Sequence, residues 1–245
     1  MIWCATSIWG GPEMLEVRDL KAGYGVLPVL HDVSFRLDKG DTLVVLGRNG
    51  VGKTTLLKSL IGLVRPTSGA IRLNGRDVAG WPPHRLARAR MAYLPQGRGI
   101  FPKLTVEENL LVGLRSRADG RRTIPGEVLD MFPILEERRS QRAGTLSGGQ
   151  QQILALARAL CADPMLLLMD EPSEGIQPSI VQQIGDLLRS FTGELGLTVL
   201  LVEQNFELAR RTASQCLVME KGRILRRLSA DDLEDKDKVF EALAL

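Results

Sequence analysis

A short run of glycines followed by a lysine and a threonine is the clearest chemical signal in this sequence of 245 residues. It has the spacing GxxxxGKT and runs through Gly47, Arg48, Asn49, Gly50, Val51, Gly52, Lys53 and Thr54, with Thr55 next. Glycines let backbone N–H groups turn around phosphate oxygens, and the start of a following helix favours negative charge. In such a loop the lysine reaches the β- and γ-phosphates and the threonine hydroxyl coordinates Mg²⁺. The stretch therefore predicts a nucleotide-binding phosphate loop.

A second signal is the pair of carboxylates Asp170 and Glu171, which follows the apolar run Met165–Met169. Such a run is typical of a buried strand, whose last residues lie at the edge of a sheet. Beside a phosphate loop, one carboxylate can hold Mg²⁺ through water, and the other can accept a proton from an attacking water. We assign these roles to Asp170 and Glu171, respectively. Adjacent acids at a strand end are common, so the assignment depends on the phosphate loop.

The third signal is a serine and two glycines at the start of a predicted amphipathic helix. The residues are Ser147, Gly148, Gly149 and Gln150. A serine cap beside glycine amides makes a second helix start that can bind an anion, although a plain helix cap is the simpler interpretation. Since the chain has one phosphate loop, the two helix starts either close on one nucleotide within the chain or meet across two chains.

These residues need a sheet and helices to position them, and the hydrophobic pattern predicts both. Strands are expected at Leu15–Val17, Val33–Leu37, Thr42–Leu46, Met165–Met169 and Thr198–Val202, with a hairpin turn at Asn74–Gly75. Helices are expected from Gly52 to Ile61, and at Val106–Leu114, Pro125–Met131, Ile134–Arg139, Gln150–Leu160, Ile180–Phe191 and over the tail Ser229–Leu245. Continuous apolar runs are typical of parallel strands that are covered on both faces. We therefore predict an α/β core with a helical insertion in its middle.

Composition excludes several other classes of protein. Hydrophobic residues at 44% and charged residues at 25% are typical of a folded domain. A net charge of +3 lacks the excess of basic residues expected of a nucleic-acid-binding protein. Two histidines without metal-ligand spacing exclude a zinc site. Three separated cysteines, Cys4, Cys161 and Cys216, predict reduced thiols that are buried as small hydrophobic groups.

The N-terminus carries no targeting signal that the sequence reveals. Residues Met1–Glu13 lack a basic n-region and a long apolar stretch, and no apolar run approaches the roughly 18 residues of a membrane span. The pattern therefore predicts a soluble, intracellular protein. The regular sequence begins at Met14, which leaves residues 1–13 as a leader, interpreted as an upstream start or a loose tail.

The three signals, in this order, resemble the ATP-binding subunit of ATP-binding-cassette (ABC) transporters from Met14 onward, most specifically in Leu146–Gln150. The resemblance implies an α/β phosphate-loop ATPase domain over residues 14–245, with an N-terminal antiparallel β subdomain and a helical subdomain inserted at about 97–150. It implies ATP and Mg²⁺ as ligands. It also implies that two ATPase subunits enclose two ATP molecules, with Ser147–Gln150 of one subunit facing the phosphate loop of the other.

The resemblance also assigns single residues. Tyr24 is expected to stack on adenine, and Gln96 to sense Mg²⁺ and link the helical insertion to the membrane subunits. Gln204 replaces a histidine that touches the γ-phosphate in most members, and Gln177 replaces an aspartate that helps arrange the dimer interface. An amide can donate a neutral hydrogen bond but cannot become cationic. If the chain hydrolyses ATP, Glu171 rather than Gln204 must therefore be the general base.

Two further segments indicate which branch of the ABC importers the chain resembles. The runs Glu203–Asn205 and Gly97–Leu110 resemble the second ATPase of branched-chain amino-acid importers and of the related urea importers. Gln96 and the run Glu174–Ile180 favour the urea branch. The amino-acid branch more often has a glutamate at the position of Gln96 and a Leu-Ala-Pro run within the second segment. We expect an ATPase that energises import of urea or short amides from the cytoplasmic side of the membrane. Its implied partners are a second ATPase subunit, two permease subunits and, indirectly, an extracytoplasmic substrate-binding protein, with no nucleic acid.

Three alternatives stay open. The chain can serve a branched-chain amino-acid importer in the same role. It can be a non-transport ABC ATPase that acts as a clamp in DNA repair or translation, although such proteins usually carry two cassettes or a long coiled-coil insertion. It can also be a regulatory subunit that binds ATP but hardly hydrolyses it, an interpretation that Gln177 and Gln204 leave open.

Overall fold

The computed structural model describes residues 12–117, 119–235 and 238, and within them ten strands form two sheets. The strands are β1 (Glu13–Tyr24), β2 (Leu27–Asp38), β3 (Thr42–Leu46), β4 (Pro66–Leu73), β5 (Arg76–Asp77), β6 (Met91–Leu94), β7 (Leu166–Asp170), β8 (Thr198–Glu203), β9 (Gln215–Glu220) and β10 (Arg223–Ser229). One sheet is antiparallel, in the order β2-β1-β4-β5. The other has the order β10-β9-β3-β8-β7-β6, and its strands are parallel except for β10. The predicted α/β fold with an antiparallel β subdomain is confirmed.

Helices connect and cover these strands. They are α1 (Lys53–Leu60), α2 (Pro83–Arg88), α3 (Val106–Gly113), α4 (Gly126–Met131), α5 (Pro133–Glu137), α6 (Gly148–Cys161), α7 (Pro178–Leu195), α8 (Phe206–Thr212) and α9 (Ala230–Glu234), with short 3₁₀ turns at Leu114–Ser116 and Ala143–Thr145. In the part of the chain that the structure describes, none of these helices has the length and apolar character that a membrane crossing requires.

The parallel sheet lies between two hydrophobic layers. Along β3, Leu43 and Val45 pack with buried residues of the antiparallel sheet and α1, whereas Val44 and Leu46 pack with those of α3, α6 and α7. Successive side chains of a strand point to opposite faces, so a strand buried on both faces must be apolar throughout. This explains why β3, β7 and β8 read as continuous apolar runs.

The predicted chemical groups leave the sheet at one edge. The phosphate loop follows β3, Asp170 ends β7 and Gln96 lies two residues beyond β6. The carboxyl end of β8 is also at this edge and is occupied by Glu203. Ligands of open parallel sheets bind at the carboxyl ends of the strands. The topology therefore brings residues from four separate chain segments to one place.

Most predicted elements are present with small changes of their bounds. The hairpin at Asn74–Gly75 is confirmed, and both residues have positive φ angles, 49° and 74°, as a tight two-residue turn requires. β1 and β2 are much longer than predicted, and β1 begins at Glu13, the last residue of the predicted leader, while residues 1–11 lie outside the described part.

The predicted tail helix is described only at its start. Ser229 caps α9 by accepting a hydrogen bond from the backbone N–H of Asp232, and Leu233 is fully buried. The other apolar residues of that prediction, Val239, Phe240 and Leu243, lie outside the described residues.

Candidate functional site

A cavity of about 450 Å³ lies at the carboxyl edge of the parallel sheet. Its walls are formed by Val29, Asn49, Gly50, Gly52, Lys53, Thr54, Thr55, Gln96 and Glu171. All but Val29 are residues that the sequence predicted to bind nucleotide or catalyse. The cavity is therefore built mainly from the phosphate loop, with Gln96 and Glu171 supplied by the neighbouring strand ends.

The phosphate loop is shaped by two glycines that other residues cannot replace. A side chain on Gly47 would lie 2.6 Å from the backbone oxygen of Met219 on β9. Gly52 has φ 114°, a conformation that L side chains rarely adopt. Behind the cavity wall, Gly222 donates a backbone hydrogen bond of 2.8 Å to Val51, which fixes the loop from outside. These contacts restrict the shape of the loop.

Lys53 is buried at the centre of the loop and is fully paired. Its Nζ donates to the backbone oxygens of Gly47 and Arg48, at 2.6 and 2.9 Å, and forms an ion pair of 2.9 Å with Glu171 Oε1. The Lys53 and Glu171 side chains are only 2% and 4% exposed. A buried ion pair must compensate for the loss of hydration of both charges, so removal of one partner is costly.

Two features of Glu171 are typical of active-site residues, a carboxylate oxygen that has no partner in the described part of the chain and a strained backbone. Its Oε2 is buried without a hydrogen-bond partner among the described residues. Its backbone has φ 46°, an unfavourable conformation for a residue with a side chain. Strained residues of this kind persist where the surrounding structure fixes them, and they are frequent at active sites. The free Oε2 is an acceptor that can take a hydrogen bond from a water.

Asp170 is held by two hydroxyl groups. Thr54 Oγ1 donates to Asp170 Oδ1 at 3.1 Å, and the Tyr93 hydroxyl donates to Oδ2 at 3.0 Å. Burial raises the pKa of Asp170, and the hydrogen bonds from Tyr93 and Thr54 act in the opposite direction. Burial and the nearby Asp170 charge also raise the pKa of the Tyr93 hydroxyl, which therefore stays a donor at neutral pH.

The residues assigned to metal binding fit Mg²⁺ by their chemistry. Thr54 supplies a hydroxyl, Asp170 a carboxylate and Gln96 an amide oxygen, and Mg²⁺ prefers such oxygen donors. Among the described residues there is no group of three or more His, Cys, Asp or Glu that can hold a metal ion. Mg²⁺ is commonly bound by one or two carboxylates together with substrate phosphates and water, and this site matches that pattern.

Gln96 lines the cavity but is already engaged. Its Nε2 donates to Glu174 Oε2 at 2.9 Å, so the side chain bridges from the end of β6 to the segment after Glu171. Gln96 therefore contacts the first residue of the run Glu174–Ile180, the other segment that favours the urea branch in the sequence. Both side chains lie near the surface, and their amide–carboxylate bond is exposed.

The structure does not bring every predicted residue into the cavity. Ser147 caps α6, accepting a bond from Gln150 N and receiving the Gln150 side chain on its own N–H, and none of the residues 147–150 lines the cavity. Within one chain, this segment is thus a helix cap. Tyr24 ends β1, is 49% exposed and is not a lining residue, and the same sheet lines the cavity through Val29. Gln204 is exposed and also lies outside the lining.

Sequence reasoning missed two residues that support the site, Tyr93 and Glu203. Glu203 is completely buried and accepts three backbone hydrogen bonds, from Ser173, Gln204 and Asn205, each of 3.0 Å. Burial raises the pKa of Glu203, and these hydrogen bonds act in the opposite direction. The available signal was an acidic residue ending an apolar strand, the same signal that identified Asp170.

Comparisons with known proteins agree with this geometry. A family model for ABC transporters matches residues 30–174. The high-affinity branched-chain amino acid transport ATP-binding protein BraG of Pseudomonas aeruginosa is 43% identical over 94% of this chain and 98% of its own length. The probable branched-chain amino acid transport ATP-binding protein LivF of Archaeoglobus fulgidus is 38% identical over 95% of this chain and 98% of its own.

Solved structures show the same fold. The ADP conformation of an ATP-binding cassette of an ABC transporter matches with a TM-score of 0.78 at 27% identity, covering 94% of this chain and 98% of that one. A structure described as the ATP binding subunit of an ABC transporter also matches with a TM-score of 0.78, at 29% identity. With the phosphate loop, Asp170 and Glu171 gathered at one sheet edge, these matches show that the chain belongs to the ABC transporter family, as one of its ATP-binding ATPase cassettes.

Proposed function

We propose that this chain hydrolyses Mg²⁺–ATP in the cavity at the sheet edge and thereby powers the import of branched-chain amino acids through separate membrane subunits. The observation that carries the ATPase is the convergence of Lys53, Thr54, Asp170 and Glu171 from two distant segments. The transported class is supported by the two relatives whose names state branched-chain amino acid transport.

Binding of ATP begins with an exchange of partners at Lys53. A phosphate in the loop can take the Lys53 ammonium from Glu171 and from the two loop carbonyls, because a phosphate carries more charge than a carboxylate. The glycine amides and the start of α1 add hydrogen bonds and a favourable helix dipole. Tyr24 is proposed to stack on the adenine, at the exposed end of β1.

Hydrolysis is assigned to Glu171. Once Lys53 has turned to the phosphate, both Glu171 oxygens are acceptors, and one of them can take the proton of a water that attacks the γ-phosphorus. Thr54, Asp170 and Gln96 would hold Mg²⁺, which supplies charge neutralisation to the phosphates when it is bound. Gln204 is proposed to donate a neutral hydrogen bond to the γ-phosphate.

Full activity requires a second ATPase subunit. Ser147–Gln150 present serine and glycine groups at a helix start outside the cavity of their own chain, and we assign them to the nucleotide held by a partner subunit. The assembly would contain two permease subunits at the cytoplasmic side of the membrane, with the substrate delivered by an extracytoplasmic binding protein. The segment from Gln96 to Asn109 would transmit closure of the ATPase pair to the permeases.

Urea or a short amide is the second candidate for the transported substrate. It is favoured by Gln96 and by the run Glu174–Ile180, two segments that the hydrogen bond from Gln96 to Glu174 joins. A glutamate at position 96 would instead place two carboxylates side by side. The substrate itself is selected by subunits other than this chain.

Uptake of labelled leucine and labelled urea, measured side by side in cells carrying Lys53→Ala, distinguishes the two. Loss of leucine uptake with urea spared is the expected result, and the reverse would move the chain to the urea branch. If neither uptake changes, the importer assignment is wrong and a non-transport role takes its place.

The Glu171→Gln substitution tests the catalytic role. The amide keeps the size of the side chain but cannot accept the proton from water, so the variant should bind ATP and stay as a closed dimer. Undiminished ATP turnover in the assembled complex would contradict the role of Glu171. Comparing the same substitution in this chain and in its partner subunit shows whether this chain is catalytic or regulatory.

A further inference from the structure

Glu203 is a carboxylate inside the protein with no cation beside it. Its exposure is 0%, and no ion pair to it is formed in the described residues. Three backbone N–H groups take the place of a cation: Ser173 N donates to Oε1, and Gln204 N and Asn205 N donate to Oε2. Both oxygens are thus used as acceptors, which matches the ionised form of the side chain.

The donors belong to two loops, one that follows Glu171 and one that follows β8. Ser173 lies two residues after Glu171, in the segment that also contains Glu174 and Gln177. Gln204 and Asn205 form the connection from β8 to α8, in which Asn205 caps the helix by accepting a bond from Leu208 N. The Glu203 carboxylate therefore ties the loop after Glu171 to the loop that carries Gln204.

The backbone around Glu203 reaches two more segments of the site. The carbonyl oxygen of Glu203 accepts a bond of 3.2 Å from Gly47 N, at the start of the phosphate loop. The carbonyl oxygen of Val202 accepts a bond of 3.0 Å from Glu171 N. Since these two contacts use the main chain, substitution of the Glu203 side chain leaves their acceptors in place, and only the tie between the two loops is lost.

We infer that Glu203 is a positioning residue, whose carboxylate sets the loop after Glu171 and the loop of Gln204 in a fixed relation, so that both reach the γ-phosphate and the partner subunit together. The inference rests on the proposed ATPase function. It does not give Glu203 contact with the nucleotide, because Glu203 is absent from the cavity lining. Its effect should therefore appear in turnover and in closure of the dimer, with nucleotide affinity preserved.

Glu203→Gln is the appropriate variant because it is isosteric. The amide retains one oxygen acceptor but puts an NH₂ group against N–H donors, so at least one loop must separate from residue 203. Glu194→Gln is the matched control, since Glu194 is exposed near the end of α7. Three properties are measured on the purified full-length chains: ADP affinity, ATP turnover, and hydrogen exchange of the backbone amides of Ser173, Gln204 and Asn205.

In Glu203→Gln, ADP affinity should stay within about twofold of the unsubstituted chain, while turnover falls by about tenfold or more, the factor expected for loss of a charged buried acceptor. Exchange should be slow at all three amides in the unsubstituted chain and faster in both loops of the variant. Unchanged exchange or a turnover within about twofold of the control would overturn the inference. If Glu203→Gln does not fold, rapid exchange of these amides in the unsubstituted chain would still overturn it.

A dimerisation experiment distinguishes failure of this inference from failure of the proposed function. ATP should produce a dimer of Glu171→Gln, seen by light scattering, but not of Glu171→Gln with Glu203→Gln added. If Glu171→Gln forms no dimer with ATP, either alone or mixed with its partner ATPase subunit, the proposed function is at fault. If both variants form dimers equally well, only the role of Glu203 is contradicted.

Discussion

The Lys53 ammonium contacts two backbone oxygens of the phosphate loop and the Glu171 carboxylate. Lys53→Ala should abolish measurable ATP binding, because it removes the cation of the phosphate loop and leaves the Glu171 carboxylate buried without its partner. Titration calorimetry with Mg²⁺–ATP measures the loss. Lys103→Ala, which removes an exposed lysine, should bind ATP normally, and retained affinity in Lys53→Ala would contradict the assigned role.

Tyr93 is expected to affect the binding of Mg²⁺ rather than that of the nucleotide, because its hydroxyl donates to Asp170. Tyr93→Phe removes the hydroxyl that donates to Asp170 Oδ2 and leaves that oxygen without a protein donor. We expect ATP affinity in the presence of Mg²⁺ to fall by about tenfold, and ADP affinity without Mg²⁺ to stay unchanged.

The exposed Tyr24 provides the control for that experiment. Tyr24→Phe loses a hydroxyl at a surface position but keeps the ring that is proposed to stack on adenine. Equal effects of the two substitutions on nucleotide affinity, or an equal loss of affinity with and without Mg²⁺, would contradict a role of Tyr93 in Mg²⁺ binding.

Among single residues, the sequence identified those that have a distinctive local sequence. Lys53 and Thr54 are recognisable because the loop spacing is local, and Asp170 and Glu171 because an apolar run precedes them. Tyr93 was missed because its partner Asp170 lies on another strand, and Glu203 because its donor Ser173 lies in a distant loop. Tyr93 approaches Asp170 only because β6 pairs with β7, and local spacing carries no information about that pairing.

Among the elements, the packing of α3 against α6 depends on one residue without a side chain. A Cβ on Gly113 would lie 2.2 Å from the backbone oxygen of Arg158. Gly113→Ala should therefore force the two helices apart and lower the free energy of unfolding by about 1–3 kcal/mol, even though alanine favours helices. Urea unfolding measures the change.

Gly126, at the first position of α4, is the matched control. A Cβ there meets open space, so Gly126→Ala should leave stability unchanged or raise it by up to about 1 kcal/mol. If Gly113→Ala stabilises the protein as Gly126→Ala does, the close approach of α3 and α6 is wrong.

Strands were predictable where both faces are buried, and helices where one face is apolar. β3 has the predicted bounds, and α1 differs from its prediction by one residue at each end. β1 and β2 were underestimated because they carry polar residues on an exposed face, and because several irregularities in their pairing break the strict alternation. In such strands the partner strand, not the local pattern, determines the length.

For the whole molecule, the buried thiols predict how stability depends on pH. Cys161 and Cys216 are both fully buried and form no disulfide, as predicted, whereas Cys4 lies outside the described residues. Burial raises the pKa of each of the two buried thiols to about 12. In the unfolded chain a thiol ionises near pH 9, so above that pH the unfolded state loses protons that the folded state keeps. This contribution to stability is complete below about pH 9 and is lost as the pH rises toward 12.

Urea unfolding at about pH 8 and about pH 10 tests this dependence. We expect a loss of about 1 kcal/mol per thiol over this interval. Cys161→Ala and Cys216→Ala should each reduce the difference between the two pH values, whatever they cost in packing at both. An identical difference in the unsubstituted chain and in both variants would show that other groups cause it.

The cavity wall combines two parts of the molecule that fold as different layers. Lys53, Thr54 and Glu171 extend from the parallel sheet, whereas Val29 belongs to the antiparallel sheet. With adenine placed at Tyr24, as proposed, the phosphate end and the base end of the nucleotide would be held by different sheets. On that placement, we expect substitutions in the antiparallel sheet to alter the fit of the base and to leave the residues around the phosphates in place. We accordingly expect that nucleotide selectivity and catalytic rate can be changed by separate sets of substitutions.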